Sequence, residues 1–176
     1  MTVLFGLLLA TGETAPNPPQ SPMPTASPVP CAAPEYRQFD FWLGDWDVID
    51  PQGQRAGTNT ITREFDGCVL QEHWVAAGPT GQRGSSFNTW LAGPRKWHQT
   101  WVDSTGGFLL LEGELRDGTM TLLGEMPGRE GARVRHRISW SRPYPGKDDV
   151  RQLWEASRDE GKTWSVVFDG RYVRKI

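Results

Sequence analysis

Four stretches of this sequence set a polar side chain beside a tryptophan at a spacing of two. They are Glu72 with Trp74, Asn88 with Trp90, Gln99 between Trp97 and Trp101, and Gln152 with Trp154. That spacing puts both side chains on one face of an extended strand. If the face points into a closed interior, each polar group needs a partner from protein, water or a ligand. Convergent polar groups among aromatic walls are what a small-molecule pocket requires: indoles supply stacking and apolar area, and amides fix orientation. The wall residues expected on this reading are Glu72, Trp74, Asn88, Gln99, Trp101, Gln152 and Trp154. A filled core with a self-satisfied polar network would use the same residues, and the pattern alone leaves both readings open.

Other chemistry is less well provided for. The three histidines, His73, His98 and His136, lack the H-x-H or HExxH spacing of a metal site, and the two cysteines lack the CxxC spacing of a zinc site. His136 falls on an inward face, where a histidine bonded to a neighbour is the ordinary outcome. No nucleophile elbow or phosphate-cradling glycine loop is present. The catalytic alternative is an enzyme whose in-barrel carboxylate, Glu72 or Asp103, acts as the base; a carboxylate held in the cavity with a raised pKa would favour it. A third reading is an interaction module with a solid core, whose outer tryptophans dock a partner. Nine tryptophans in 176 residues fit any of the three.

The elements that must carry these residues are strands. From Tyr36 onward no helical periodicity persists; short alternating runs recur at roughly ten-residue spacing, broken by Gly, Pro and Asp. About ten strands are expected, over residues 45–50, 57–65, 69–76, 85–91, 97–103, 107–115, 119–125, 132–141, 150–157 and 163–174. Short links favour an up-and-down meander, and closing it removes the edges: an all-β, closed antiparallel barrel. Alternation turns Val134, His136, Ile138 and Trp140 inward, with Arg133, Arg135 and Arg137 on the solvated outer face. Met120, Leu122 and Met126 form one lining set, and Trp164, Val166 and Phe168 another. The segment from Ser157 to Trp164 fits S-x-D-x-G-x-T-W, the Asp-box turn: Asp159 bonds turn amides, Gly161 takes a positive φ and Trp164 packs below. A sialidase propeller would repeat it; here it occurs once, so its role is structural.

The chain divides into residues 1–12, a signal-peptide-like segment; 13–34, a Pro-rich disordered linker; and 35–176, the barrel domain. Val3 to Ala10 is an apolar run of signal length, too short to span a bilayer, followed by a small-residue site at Ala10-Thr11-Gly12. An exported, periplasmic or secreted protein is expected. Cys31 and Cys68 would then form a disulfide that pins the end of the linker to the barrel. The net charge of −2 offers no excess of positive charge to neutralise phosphates, so nucleic acid is not an expected partner. The expected partner is a small molecule, and no transmembrane span is expected.

The run Phe39-Asp40-Phe41-Trp42-Leu43-Gly44-Asp45-Trp46-Asp47-Val48 resembles a bacterial family of exported domains of unknown function. The blocks Gln71-Glu72-His73-Trp74, Lys96 to Asp103 and Gln152-Leu153-Trp154-Glu155 extend the resemblance over residues 36–174. That family is similar to the calycins, including lipocalins and nitrobindin-like barrels. The local tie is Gly44-x-Trp46 opening the first strand, with Arg171 and Arg174 on the last. In lipocalins a first-strand Trp packs under a last-strand Arg, a cation–π contact that closes the barrel base. The resemblance implies a cavity for an apolar ligand or a haem-type site. No histidine follows His136 to serve as a proximal ligand, so no cofactor is expected.

Overall fold

A computed structural model describes residues 30–79, 81–128 and 132–175. The signal-like segment and linker residues 13–29 lie outside the described residues. Ten antiparallel strands follow one another: β1 (Gly44–Ile49), β2 (Arg55–Glu64), β3 (Val69–Ala76), β4 (Arg83–Leu91), β5 (Lys96–Asp103), β6 (Phe108–Arg116), β7 (Thr119–Pro127), β8 (Arg133–Ser141), β9 (Val150–Ser157) and β10 (Ser165–Arg174). Each pairs with its neighbours in the chain, and β10 returns to β1, so the sheet closes into an up-and-down barrel consistent with a calycin-like fold. Closure leaves no unpaired edge to blunt. Among the described residues no helix is long and apolar enough to cross a membrane.

The interior is stacked in layers because successive inward positions on a strand change character. β5 reads Trp97, Gln99, Trp101 from one pole to the other; β3 reads Leu70, Glu72, Trp74; β9 reads Val150, Gln152, Trp154. One pole is therefore apolar and filled, the middle is a polar belt, and the other pole is lined with rings. Two 3-10 turns, Pro34–Arg37 and Asp40–Trp42, plug the filled pole. Phe39, Trp42 and Trp46 are fully buried there against Trp97, Trp140 and Tyr172. The Trp46 indole donates to the Trp42 carbonyl at 2.9 Å, and the Arg174 guanidinium lies 4.3 Å from the Trp46 ring.

Of the two last-strand arginines, Arg174 is the one that packs over Trp46. Arg171 lies one face away: it pairs with Asp149 and stacks 4.8 Å from the Tyr144 ring on the outside. The plug is fastened at three further points. Cys31 and Cys68 are bonded, with Cα atoms 5.1 Å apart. Arg63 pairs with Asp40 at 2.6 Å, and Arg37 donates to the Gly67 carbonyl.

The lining set expected on the last strand needs correction. The register of β10 against β9 shifts between Val166 and Phe168, where one extra residue is inserted. Such a bulge reverses the alternation beyond it. Phe168 faces in, Val166 is 63% exposed, and Trp164 lies outside the barrel, its ring 4.2 Å from the Arg137 guanidinium. The turn itself has the expected chemistry. Asp159 accepts from the Thr163 amide at 2.9 Å, from the Thr163 hydroxyl at 2.6 Å and from the Ser157 hydroxyl at 2.8 Å. Those bonds, the Thr163 hydroxyl first, hold its carboxyl down at about 2. Gly161 has φ +91.

Candidate functional site

The polar belt is one connected network. Glu72 of β3 accepts from Asn59 Nδ2 on β2 and from Ser86 Oγ on β4, each at 2.6 Å. Ser86 Oγ also accepts from Asn88 Nδ2 at 2.9 Å, and Asn88 Oδ1 accepts from Gln99 Nε2 at 2.7 Å. On the other side Asn59 Nδ2 lies 3.2 Å from the Tyr172 hydroxyl, which donates to Gln152 Oε1. Neighbouring strands deliver these groups because each carries its polar residue at the inward position of the same layer.

Burial sets the protonation of the carboxyl at its centre. Desolvation raises Glu72 to about 7, against the lowering effect of its hydrogen bonds from Ser86 and Asn59. The Tyr172 hydroxyl is pushed up as well, first by burial and then by the nearby Glu72 charge. Asn59 Oδ1 is buried without a partner among the described residues. A protonated Glu72 therefore has a neighbouring amide oxygen available as an acceptor once the Asn59 amide turns over.

Above the belt lies a cavity of about 260 Å³. Glu72, Gln99, Gln152 and Tyr172 face it from the belt, and Trp140 and Ile138 of β8 also line it. Trp74, Trp101, Trp154 and Phe168 form the wall, and Gln82, Val167 and Asp103 stand at the mouth. Asp103 fixes the rim. It accepts from Trp101 Nε1 at 3.2 Å, and from the Thr105 amide at 2.8 Å and the Gly107 amide at 3.0 Å. Burial works against its ionised form, but these bonds and one from the Thr105 hydroxyl prevail, and its pKa is lowered. Trp154 is held from behind, its Nε1 donating to His136 Nδ1 at 3.0 Å. His136 itself is shifted down, by burial first and by Arg158 second.

Space for three of the rings comes from glycines on adjoining positions. A Cβ at Gly57 would overlap Trp74, one at Gly84 would overlap Trp101, and one at Gly170 would overlap Phe168. Glycine in a strand interior often marks such a close approach.

Of the seven expected wall residues, six face the cavity: Glu72, Trp74, Gln99, Trp101, Gln152 and Trp154. Asn88 does not. It is fully buried beneath the cavity, and its amide is used by Ser86, Gln99 and the Leu70 carbonyl, which it meets at 3.1 Å. The two readings left open by the sequence thus divide between layers: a hydrogen-bonded polar network below, in which Asn59 Oδ1 alone is buried without a partner among its described members, and a cavity above. Sequence reasoning missed Asn59, Tyr172 and Phe168 as members of one site. For Asn59 and Tyr172 the signal was a glycine two positions away on the same inward face, Gly57 and Gly170.

His73 and His98 stand on outer positions, and His98 meets Thr100 and Glu112 there. Arg133 and Arg135 pair with Glu125, and Arg137 pairs with Glu155, on the outer face. Among the described residues no three His, Cys, Asp or Glu side chains cluster as a metal site would require. No protein-family model matches this chain, and a search of curated proteins finds no significant match.

Proposed function

We propose that this protein binds a small, partly apolar molecule in the barrel cavity and does not transform it. The observation that carries the reading is the layering: four aromatic side chains stand around a space whose floor is polar and already oriented by its own hydrogen bonds. Rings supply contact area while fixed polar groups choose orientation. The volume suits a ligand modestly larger than a single benzene ring, since about 150 Å³ is enough to hold benzene.

The experiment is a titration of intrinsic tryptophan fluorescence with a panel of small aromatic and heteroaromatic compounds, paired with native mass spectrometry of the purified protein. Saturable quenching that disappears in Trp101→Ala supports the reading. A panel that moves neither the fluorescence nor the melting temperature overturns it.

A second reading has one specific observation in its favour: Glu72, raised to about 7 inside a cavity, is poised as a general base near neutral pH. Its two bonded neighbours, Asn59 and Ser86, serve to position it. This reading predicts a bound compound that turns over, with activity rising through pH 7 and abolished in Glu72→Gln. Export to an oxidising compartment belongs to the same proposal. It rests on the apolar run Val3 to Ala10 and the resemblance to exported domains, and it agrees with the Cys31–Cys68 bond. Fractionation of a bacterial host and N-terminal sequencing of the product test it.

A further inference from the structure

We infer that the ligand this cavity selects is an organic cation, a primary ammonium carried on an aromatic or compact apolar body. The inference rests on the reading of the cavity as a binding site and goes on to its chemistry. Two carboxyl groups face the space, Glu72 from the belt and Asp103 from the mouth, and among the described residues the lining contains no lysine, arginine or histidine. Trp74, Trp101, Trp154 and Phe168 line the wall, and the face of such a ring attracts a cation through its quadrupole. An anionic ligand would meet two like charges and, among the described lining residues, no counter-charge, at a cost that grows in so enclosed a space.

The floor favours a donor-rich head. Each Glu72 oxygen accepts a single bond, leaving lone pairs unused, and an ammonium brings three donors and no acceptor. Asp103 is already an ionised acceptor for Trp101, Thr105 and Gly107, so its charge contributes a field at the entrance while its bonds keep the Trp101 ring in place.

The groups packed about Glu72 make the expected pH response simple. β2 presents Asn59, β4 presents Ser86, β9 presents Gln152, and β10 presents Tyr172, whose hydroxyl stays protonated. Asp103 is ionised throughout the neutral range, and His136, behind Trp154, is held toward its neutral form. Cation affinity should therefore follow the loss of the Glu72 proton and strengthen from pH 6 to pH 8.

Three probes of one shape and three charges test this: 2-phenylethylammonium, 2-phenylethanol and phenylacetate, each titrated by tryptophan fluorescence into the whole protein. The amine, like a lysine, stays protonated over the range. The expected result at pH 8 is tenfold or tighter binding of the cation than of the alcohol, with phenylacetate weaker than both. Cation affinity should fall several-fold at pH 6 while that of the alcohol stays level. Glu72→Gln should remove the pH response and most of the cation preference. Equal affinities for cation and alcohol, or preference for phenylacetate, would overturn the cation inference and leave the binding reading standing. Failure of all three probes would overturn both. Should Glu72→Gln fold poorly, the pH profile of the unmodified protein decides the matter alone.

Discussion

The two poles of the barrel are built from the same residue type and come out differently. At the plugged pole Trp42, Trp46, Trp97 and Trp140 are almost wholly buried, and they pack on one another through Phe39 and Tyr172. At the open pole Trp74, Trp101 and Trp154 are only part-buried, each with one side turned to the cavity. The difference lies in what enters from outside the sheet. The 3-10 segment Asp40–Trp42 fills one end with Phe39 and Trp42. At the other end no described segment enters the barrel as Phe39 and Trp42 do, and glycines make room for rings that border the cavity. A tryptophan count therefore signals interior lining, while the neighbours decide between plug and wall.

The sharpest way to break this comparison is to truncate one ring at each pole. Trp46→Ala removes a fully buried side chain, its bond to Trp42 and the seat of Arg174. It should cost about 3–5 kcal/mol, read by urea unfolding. Trp101→Ala, at the end of this series, should cost only about 1 kcal/mol, because its lost contacts border a cavity already present. Equal losses at the two sites would mean that the poles are energetically alike.

Second in size is the Cys31–Cys68 bond, which closes a 37-residue separation and fastens the plug alone. Cys68→Ser, or reduction, should lower stability by roughly 3–4 kcal/mol in the chain-entropy model, with the barrel's circular dichroism unchanged at low temperature. Ligand titrations at the open pole should be indifferent to it.

Third is the pH dependence set by Glu72 in the belt between the poles. Its folded pKa, about 7, lies above the ordinary 4.5. Between those values the folded state holds a proton that the unfolded chain has released, so stability falls as pH rises and levels off above about 7. The whole effect is on the order of 3 kcal/mol. Other carboxylates slope differently, so the measure is the difference between the protein and Glu72→Gln. It should be small near pH 4 and widen in favour of the variant up to pH 7. A difference that is flat with pH would place Glu72 ionised in the fold.

Much of this architecture can be read from the alternation of residues. The ten strands, their turns and the inward faces of β3, β5, β8 and β9 follow from period two and from Gly, Pro and Asp breaks. The parts that escape are those where a third dimension decides. Val166 and Trp164 are misassigned because a single inserted residue in β10 reverses the face, and no local pattern marks the insertion. Asn88 shares its parity with true wall residues, but the height of a residue along a tilted strand, which separates belt from cavity, depends on how the barrel is staggered. Tyr172 joins Glu72 across 100 residues of sequence, a neighbourhood created only by closure of β10 on β1. Arg171 and Arg174, three residues apart, fall on opposite faces by alternation, but only the pairing of Arg174 with Trp46 shows which of them meets the ring.

The Trp46–Arg174 contact has a geometric corollary for handling the molecule. Trp46 and Arg174 are paired residues at the same pole, and the Cys31–Cys68 bond holds the incoming chain there too. Both ends of the described barrel thus leave from the plugged pole, diametrically opposite the mouth. A chain captured on a sensor surface through a tag at the C-terminus, next to Arg174, would stand with its opening toward the flow. A bulky fusion partner at that end would leave the entrance unobstructed.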